Sequence, residues 1–156
     1  MLIKQNLYVN PKLKLPAASS NDQVSRWEKG NLVIENLTTE WSTDYLMPES
    51  APDLIKDKIY IVGFVGTKHG PVSIYQPGND YEEVISKGDI HYREFKYTGS
   101  LALHFKSTVR GSGMTIKQLF ITDQVPDIII PNEKDIKADN QPLLPPEGTY
   151  KEIQAL

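Results

Sequence analysis

Apolar and polar residues alternate along several short runs in the middle of this chain, and many apolar positions hold β-branched or aromatic side chains. A period of two is the pattern of a strand that packs one face on a core, and no run keeps a helical period. Segments rich in Gly, Pro, Ser or Asn separate the runs. The pattern predicts strands over 59–65, 72–75, 91–97, 101–105 and 114–121.

Short strands separated by turn signals are typical of an all-β fold, a two-sheet antiparallel β-sandwich. We expect at least seven strands and little helix, with function in loops and on one exposed sheet face. The remaining predicted elements are short strands over 6–9 and 31–37, long polar loops over 15–30 and 43–57, and a polar excursion over 76–88 with one helical turn at 81–86.

The character of the chain changes after Ile130, where prolines and charged residues become frequent and strand patterns end. We therefore predict a β-sandwich domain over 1–130 and an extended Pro-rich C-terminal arm over 131–156. Two interpretations of the arm stay open. It is either a solvated terminus, or a segment whose apolar Leu143–Leu144 docks on the sandwich or on a neighbouring subunit.

Length and charge exclude several classes of function. A chain of 156 residues supports one domain with a sizeable core. Its net charge of −3, with mixed signs, leaves no basic stripe for nucleic acid, so we expect an uncharged partner. The chain has no cysteine, and no stretch approaches the roughly 18 apolar residues of a membrane span. With no signal-peptide pattern at its start, synthesis in the cytoplasm is expected.

Residues with catalytic or metal-binding potential do not cluster in the sequence. His69, His91 and His104 are widely separated, and none has a second ligand at the spacing of a metal site. The chain contains neither a G-x-S-x-G nucleophile motif nor a phosphate-binding glycine loop. We therefore expect no enzyme activity and no cofactor. Loop oxygens from Asn and Asp could still ligate a structural calcium ion.

Two tryptophans are the first candidates for ligand contact. Trp27 falls within the predicted loop over 15–30, and Trp41 precedes the loop that carries Tyr45. A sugar ring presents an apolar face and a rim of hydroxyls, so its site needs a flat aromatic side chain beside polar ones. The neighbouring residues have that composition. The alternative is that each tryptophan fills the core or an edge of the sandwich.

A second group of candidates lies around the polar excursion that follows the strand over 72–75. Tyr75 and Gln76 precede a Pro-Gly-Asn turn, and Tyr81 follows it, so these residues could face a ligand groove. His69, with Lys68, is expected at a hairpin tip that could cap such a groove. These positions complete the set of predicted carbohydrate-binding candidates.

Several segments resemble the carbohydrate-binding-module-like jelly-roll domains of tail and baseplate proteins from phages of Gram-positive bacteria. The similarity covers roughly residues 6–130, and the proline-rich ending is similar to endings of phage minor structural proteins. The segments that carry it are Asn6-Leu7-Tyr8-Val9-Asn10-Pro11, the tryptophan loop, Lys58-Ile59-Tyr60-Ile61-Val62-Gly63-Phe64, Tyr92-Arg93-x-Phe95 and Gly113-Met114-Thr115-Ile116-Lys117-Gln118-Leu119.

The resemblance implies a phage tail or baseplate accessory protein whose β-sandwich binds host cell-surface carbohydrate during adsorption. Its partners would then be cell-wall polysaccharide or oligosaccharide and other tail or baseplate proteins, with a homo-oligomer left open. Its place would be the virion tail, exposed to the host cell surface, after synthesis in the cytoplasm of the host bacterium. The alternative is a purely structural tail or assembly protein that binds no saccharide.

Overall fold

A computed structural model describes residues 1–9, 17–18, 23–29, 31–36, 41–44, 51–107 and 109–133. For 17–18, 23–28, 35–36 and 41–44 it describes the backbone alone. The strands in the described part are β1 (Ile3–Gln5), β2 (Ala17–Ala18), β3 (Gln23–Glu28), β4 (Asn31–Asn36), β5 (Trp41–Asp44), β6 (Ile59–His69), β7 (Ser73–Gln76), β8 (Asp80–Glu83), β9 (Ile85–Lys87), β10 (Ile90–Lys96), β11 (His104–Ser107), β12 (Gly113–Thr122) and β13 (Ile128–Ile130).

Two antiparallel sheets make up most of the fold. The six-stranded sheet has the order β3-β4-β12-β6-β10-β9, and the five-stranded sheet has the order β2-β5-β11-β7-β8. The predicted all-β, two-sheet antiparallel β-sandwich of jelly-roll type is therefore confirmed. No helix in the described residues is long and apolar enough to cross a membrane.

The core lies between the two sheets, where the inward-facing apolar residues of both sheets meet. Phe64 of β6 and Phe105 of β11 contact each other edge to face, with ring centroids 5.9 Å apart. Both are fully buried, as are Leu32, Ile74 and Ile116 on other strands of the two sheets. Fully burying an apolar side chain of this size contributes about 1.5–3 kcal/mol, so this layer is the main source of stability.

The first strand, β1, forms a short parallel pair with β13, the last described strand, which a purely antiparallel prediction did not contain. Ile129 of this pair covers a second apolar cluster on the outer face of the six-stranded sheet, formed with Ile61, Ile90 and Phe120. The parallel pair forms because the outer face of the six-stranded sheet also carries apolar residues that must be covered.

Asn6 connects the N-terminal segment to β12 and to the residues after β13. It is fully buried, its Nδ2 donates to the carbonyl of Leu119 at 3.0 Å, and its Oδ1 accepts from the amide of Ile121 at 3.0 Å. Asn132 donates from its Nδ2 to the carbonyl of Asn6 at 3.0 Å. Residues 134–156, the rest of the predicted arm, lie outside the described residues.

Two glycines allow β6 to lie close to its neighbours. A Cβ atom at Gly63 would meet the carbonyl oxygen of His91 in β10 at 2.0 Å, and one at Gly66 would meet that of Thr115 in β12 at 1.9 Å. No side chain fits in either place. Near Gly66, β12 carries a bulge between Ile116 and Gln118, which shifts the register of its pairing with β6.

Several local predictions were wrong. Trp27 lies in strand β3 and not in a loop, because residues 23–28 pair along their whole length with β4. The predicted helical turn over 81–86 is instead parts of two edge strands, β8 and β9, which belong to different sheets. The predicted strand over 6–9 is displaced to β1, and Asn6 and Leu7 reach β12 by isolated bonds.

Candidate carbohydrate-binding face

Two of the predicted candidates, Tyr75 and Tyr81, lie side by side on the outer face of the five-stranded sheet. They are directly opposite in the β7–β8 pairing, and their ring centroids are 5.4 Å apart with planes tilted by 46°. Ile74, the residue before Tyr75, is fully buried in the core, so the alternation of β7 directs Tyr75 outward. Tyr81 is 38% exposed. The pair therefore presents aromatic surface to solvent.

His104 of β11 extends this aromatic surface across a third strand. It is opposite Tyr75 in the β7–β11 pairing, and the two rings meet edge to face with centroids 5.2 Å apart. The next residue, Phe105, is in the core, which explains why His104 faces outward. Tyr81, Tyr75 and His104 thus form a line of three rings perpendicular to the strands, which we call the aromatic row.

Lys106 adds a positive charge beside the aromatic row. Its Nζ lies over the ring of Tyr81, 5.3 Å from the centroid, which is a cation–π arrangement. Lys106 is opposite Ser73 in the sheet, and Ser73 is opposite Glu83, so polar side chains form a second line parallel to the row. A depression of about 410 Å³ lies there, lined by Pro71, Ser73, Tyr81, Glu83, Lys106 and Ser107.

The arrangement can bind a ligand that has both apolar faces and hydroxyl groups. The aromatic row offers ring faces and edges for stacking. The hydroxyl of Ser73, the carboxylate of Glu83 and the ammonium of Lys106 supply both acceptors and donors beside it. Because all of these residues lie on paired strands, the register of the sheet determines their spacing.

The other described candidates are not part of this face. Gln76 is fully buried, and neither atom of its side-chain amide has a hydrogen-bond partner among the described residues. Its burial follows from the alternation of β7, which turns it to the same side as Ile74. The predicted hairpin tip at His69 is wrong, because β6 continues through His69 in pairing with β12 and the next strand, β7, belongs to the other sheet; His69 is exposed at the end of β6, opposite Gly113. It therefore does not join the tyrosine pair.

The two tryptophans and Tyr45 stay predictions. The backbone places Trp27 in β3 opposite Leu32, and Trp41 in β5 opposite Ser107. Their side chains lie outside the described part of the structure, as does all of Tyr45.

The nearest approach to a catalytic pair in the described residues is Ser86 with His91. Ser86 Oγ lies 2.7 Å from His91 Nδ1, and His91 Nε2 lies 2.9 Å from the carbonyl oxygen of Gly66. The two residues are opposite each other on β9 and β10, and the imidazole packs on Phe64 with centroids 4.9 Å apart. These contacts connect the short edge strand β9 to the sheet and so have a structural role.

A metal site is not formed by the described residues, in which no three His, Asp or Glu side chains are grouped so that they could hold an ion. The calcium ion that the sequence left open stays a prediction, since some of the predicted loops lie outside this part of the chain.

Sequence reasoning found Tyr75 and Tyr81 but did not include His104 and Lys106. The local signal was present, because Leu103 and Phe105 are apolar while His104 and Lys106 alternate with them. That alternation shows which residues face outward. It does not show that β11 lies next to β7, and this pairing is what brings the four side chains together.

Comparison with known proteins gives structural similarity only. No family model matches the chain, and no curated protein matches it. A solved structure described as a mutant of a carbohydrate binding module family 29 is 15% identical, covers 80% of this chain and 98% of its own, and has a TM-score of 0.48. A second structure, also of a mutant family 29 module, is 14% identical, with 80% and 91% coverage and a TM-score of 0.47.

A third similar structure is that of accessory secretory protein 1, 2 and 3 in Streptococcus pneumoniae. It is 11% identical, the match covers 78% of this chain and 98% of that chain, and the TM-score is 0.40.

Proposed function

We propose that this protein is a non-enzymatic carbohydrate-binding protein whose ligand lies on the outer face of the five-stranded sheet. The observation that carries the proposal is the aromatic row, in which Tyr81, Tyr75 and His104 follow one another at 5.4 and 5.2 Å. Three adjacent rings on an exposed sheet face provide repeated apolar contact, and Lys106, Ser73 and Glu83 provide hydrogen-bonding groups beside them.

The ligand that fits this face is an oligosaccharide or polysaccharide. An extended chain of sugar rings would cross the strands and contact successive side chains of the aromatic row. The neutral character of most such ligands agrees with the mixed charges around the row, where Lys106 and Glu83 line the same depression. Affinity would come from stacking and from hydrogen bonds to hydroxyl groups.

We further propose that the ligand is a host cell-wall saccharide and that the protein is an accessory component of a phage tail or baseplate, acting in adsorption. This finer proposal is supported by the sequence resemblance described above, and it includes the virion tail as the place of action and other tail proteins as partners. The Pro-rich segment over 131–156 would serve attachment or oligomerisation.

The alternative, a purely structural tail protein, is favoured by one observation on the opposite face. A groove of about 650 Å³ along the β10 edge of the six-stranded sheet, lined also by Asn79, Glu82 and Arg93, exposes Ile59 and Ile85, which are 51% and 55% exposed, next to Tyr92 and Val125. Exposed apolar surface of this kind is common at protein contacts.

One experiment separates the two proposals. The isolated protein is incubated with insoluble cell walls of Gram-positive bacteria, bound protein is released with soluble cell-wall oligosaccharides, and its mass in solution is measured by light scattering. Binding that the oligosaccharides compete for supports the carbohydrate-binding function. A protein that binds no wall preparation and forms a defined oligomer would favour the structural role.

A further inference from the structure

One side chain of the six-stranded sheet reaches across the sandwich to the two strands that carry the tyrosine pair. Arg93 lies in β10, and only 3% of it is exposed. Its Nη1 donates to the carbonyl oxygens of Ile74 at 3.0 Å and Asp80 at 2.7 Å. Because Ile74 lies in β7 and Asp80 in β8, one guanidinium group binds both strands of the hairpin from the inside.

The two carbonyl groups belong to the peptide bonds that directly precede Tyr75 and Tyr81. A peptide unit is planar and rigid, so a bond to its carbonyl oxygen also restricts the Cα atom of the following residue. Arg93 therefore acts on the backbone positions from which both tyrosine side chains project. The rings lie on the outer face of the sheet, and the guanidinium lies on its inner side.

The remaining donors of Arg93 hold the guanidinium group in place. Its Nη2 forms an ion pair with Glu82 Oε2 at 3.1 Å, and its Nε donates to the carbonyl of Glu94 at 2.8 Å. Burial lowers the pKa of Arg93, while the charges of Glu82 and Asp80 oppose that shift. An arginine stays charged at neutral pH, and its planar fork serves several acceptors at once, which a lysine ammonium cannot do in the same geometry.

The β8 strand needs such support because its own interactions are few. It is four residues long, all of them exposed, and within the described part of the chain it pairs only with β7 at the edge of the sheet. Short edge strands with exposed backbone bonds open locally more readily than central strands. The turn before it is held to β10 by Asn79, whose side chain bonds to both the amide and the carbonyl of Lys96. Arg93, in contrast, binds the carbonyl of Asp80, directly before Tyr81.

We propose that Arg93 is a positioning residue for the aromatic row, which holds Tyr75 and Tyr81 side by side without contacting the ligand. This inference rests on the proposed carbohydrate-binding function of the row. It adds to that function a requirement from the opposite sheet: ligand affinity depends on a buried side chain of β10.

The test compares Arg93→Met, which removes the charged fork and keeps an unbranched side chain, with Arg93→Lys, which keeps the charge. Amide hydrogen exchange measured by NMR reports on β8 and on the core strand β6, and nuclear Overhauser effects report on contact between the rings of Tyr75 and Tyr81. Affinity is measured by calorimetry with the soluble cell-wall oligosaccharide that best competes for binding to the wild type. Tyr81→Ala is the control that removes a ring and leaves Arg93 in place.

In Arg93→Met we expect amide hydrogen exchange in β8 to be at least about tenfold faster than in the wild type, with a much smaller change in β6. The reason is that the charged hydrogen bonds from Arg93 to the β7–β8 hairpin are lost. Contacts between the two tyrosine rings should weaken, and affinity should fall at least about fivefold. Arg93→Lys should give intermediate values for all three. Tyr81→Ala should lower affinity without accelerating exchange in the rest of the hairpin.

Equal acceleration of exchange in every strand would show that Arg93 only stabilises the whole fold, and would overturn the proposal. Wild-type affinity and ring contacts in Arg93→Met would overturn it as well, while leaving the proposed function intact if Tyr81→Ala still weakens binding. If the wild type binds no oligosaccharide, the proposed function fails, and exchange and ring contacts alone decide the role of Arg93. If Arg93→Met does not fold, Arg93→Lys is judged by the same criteria.

Discussion

Replacing Tyr81 by alanine should weaken saccharide binding strongly while the protein stays folded. In the free protein the substitution removes the contact with Tyr75 at 5.4 Å and the position of Lys106 over the ring. An aromatic pair contributes about 0.5–1.5 kcal/mol, and an exposed cation–π contact contributes about 0.5–1 kcal/mol. Tyr81 is 38% exposed, so its removal creates no cavity in the core. The two contacts together therefore give an expected decrease in the free energy of unfolding of about 1–2.5 kcal/mol.

In the complex the same ring would be an anchoring contact. Removing such an aromatic anchor costs about 2 kcal/mol or more, which corresponds to an affinity roughly 30-fold weaker. Stability is measured by urea denaturation, and affinity by calorimetry with a soluble cell-wall oligosaccharide. The matched control is Tyr92→Ala, which removes a partly buried tyrosine from the outer face of the other sheet.

The control should lose a comparable amount of stability and keep its affinity. The reasoning is refuted if Tyr81→Ala binds as tightly as the wild type, or if Tyr92→Ala weakens binding to the same extent. In the first case the ring is not an anchor. In the second case the effect on binding follows from the loss of stability and not from the position of the ring.

Other expected outcomes concern edges, ends and pH. β9 pairs only with residues 90–92 of β10, and the Asn79 side chain bonds to the backbone of Lys96 in the part of β10 that β9 leaves uncovered. Asn79→Ala should expose this edge, lower stability by about 1–3 kcal/mol and increase self-association in size-exclusion chromatography. An unchanged monomer would contradict this. A chain that ends after residue 133 should unfold cooperatively. A chain that ends at Ile130 loses the hydrogen bond from Asn132 to the carbonyl of Asn6 and should be less stable by about 1–3 kcal/mol. Equal melting temperatures of the two truncated chains would refute this role of Asn132. The pKa of Asp123 lies below its ordinary value, chiefly because Lys4 donates a hydrogen bond to its carboxylate. The stability that this carboxylate contributes is therefore present above its pKa in the unfolded chain and is lost as the pH falls through its lower pKa in the folded protein. Asp123→Asn should reduce the acid sensitivity of the free energy of unfolding below about pH 4, and an unchanged pH profile would argue against this.

The central strands could be predicted from the sequence because their pattern is local. Residues 59–65 and 114–121 alternate or are continuously apolar, and they fall within β6 and β12, the pair at the centre of the six-stranded sheet. In contrast, β1 and β13 are three residues each and more than a hundred residues apart in the chain. Nothing in a local pattern identifies such a pairing, which depends on an apolar sheet face that must be covered.

The sequence allowed single residues of the candidate site to be predicted, but not which other side chains lie next to them on the sheet. Tyr75 and Tyr81 stand out as aromatic residues beside a turn, and they do lie together. The polar segment after Asp80 has no apolar alternation, so its sequence predicts a helical turn although it forms edge strands. Gln76 is a candidate because it is polar, but side chains alternate along β7, and this alternation directs Gln76 into the core. The pairing of strands, and not composition, determines which side chains share a face.

The most direct test of the central claim is an NMR titration of the isotope-labelled protein with soluble Gram-positive cell-wall oligosaccharides. If the outer face of the five-stranded sheet binds carbohydrate, amide and ring signals of Tyr75, Tyr81, His104 and Lys106 should shift together in a saturable way. Signals around Ile85 and Tyr92 on the opposite face should stay unchanged. Shifts confined to that opposite face, or no shifts with any oligosaccharide, would contradict the account.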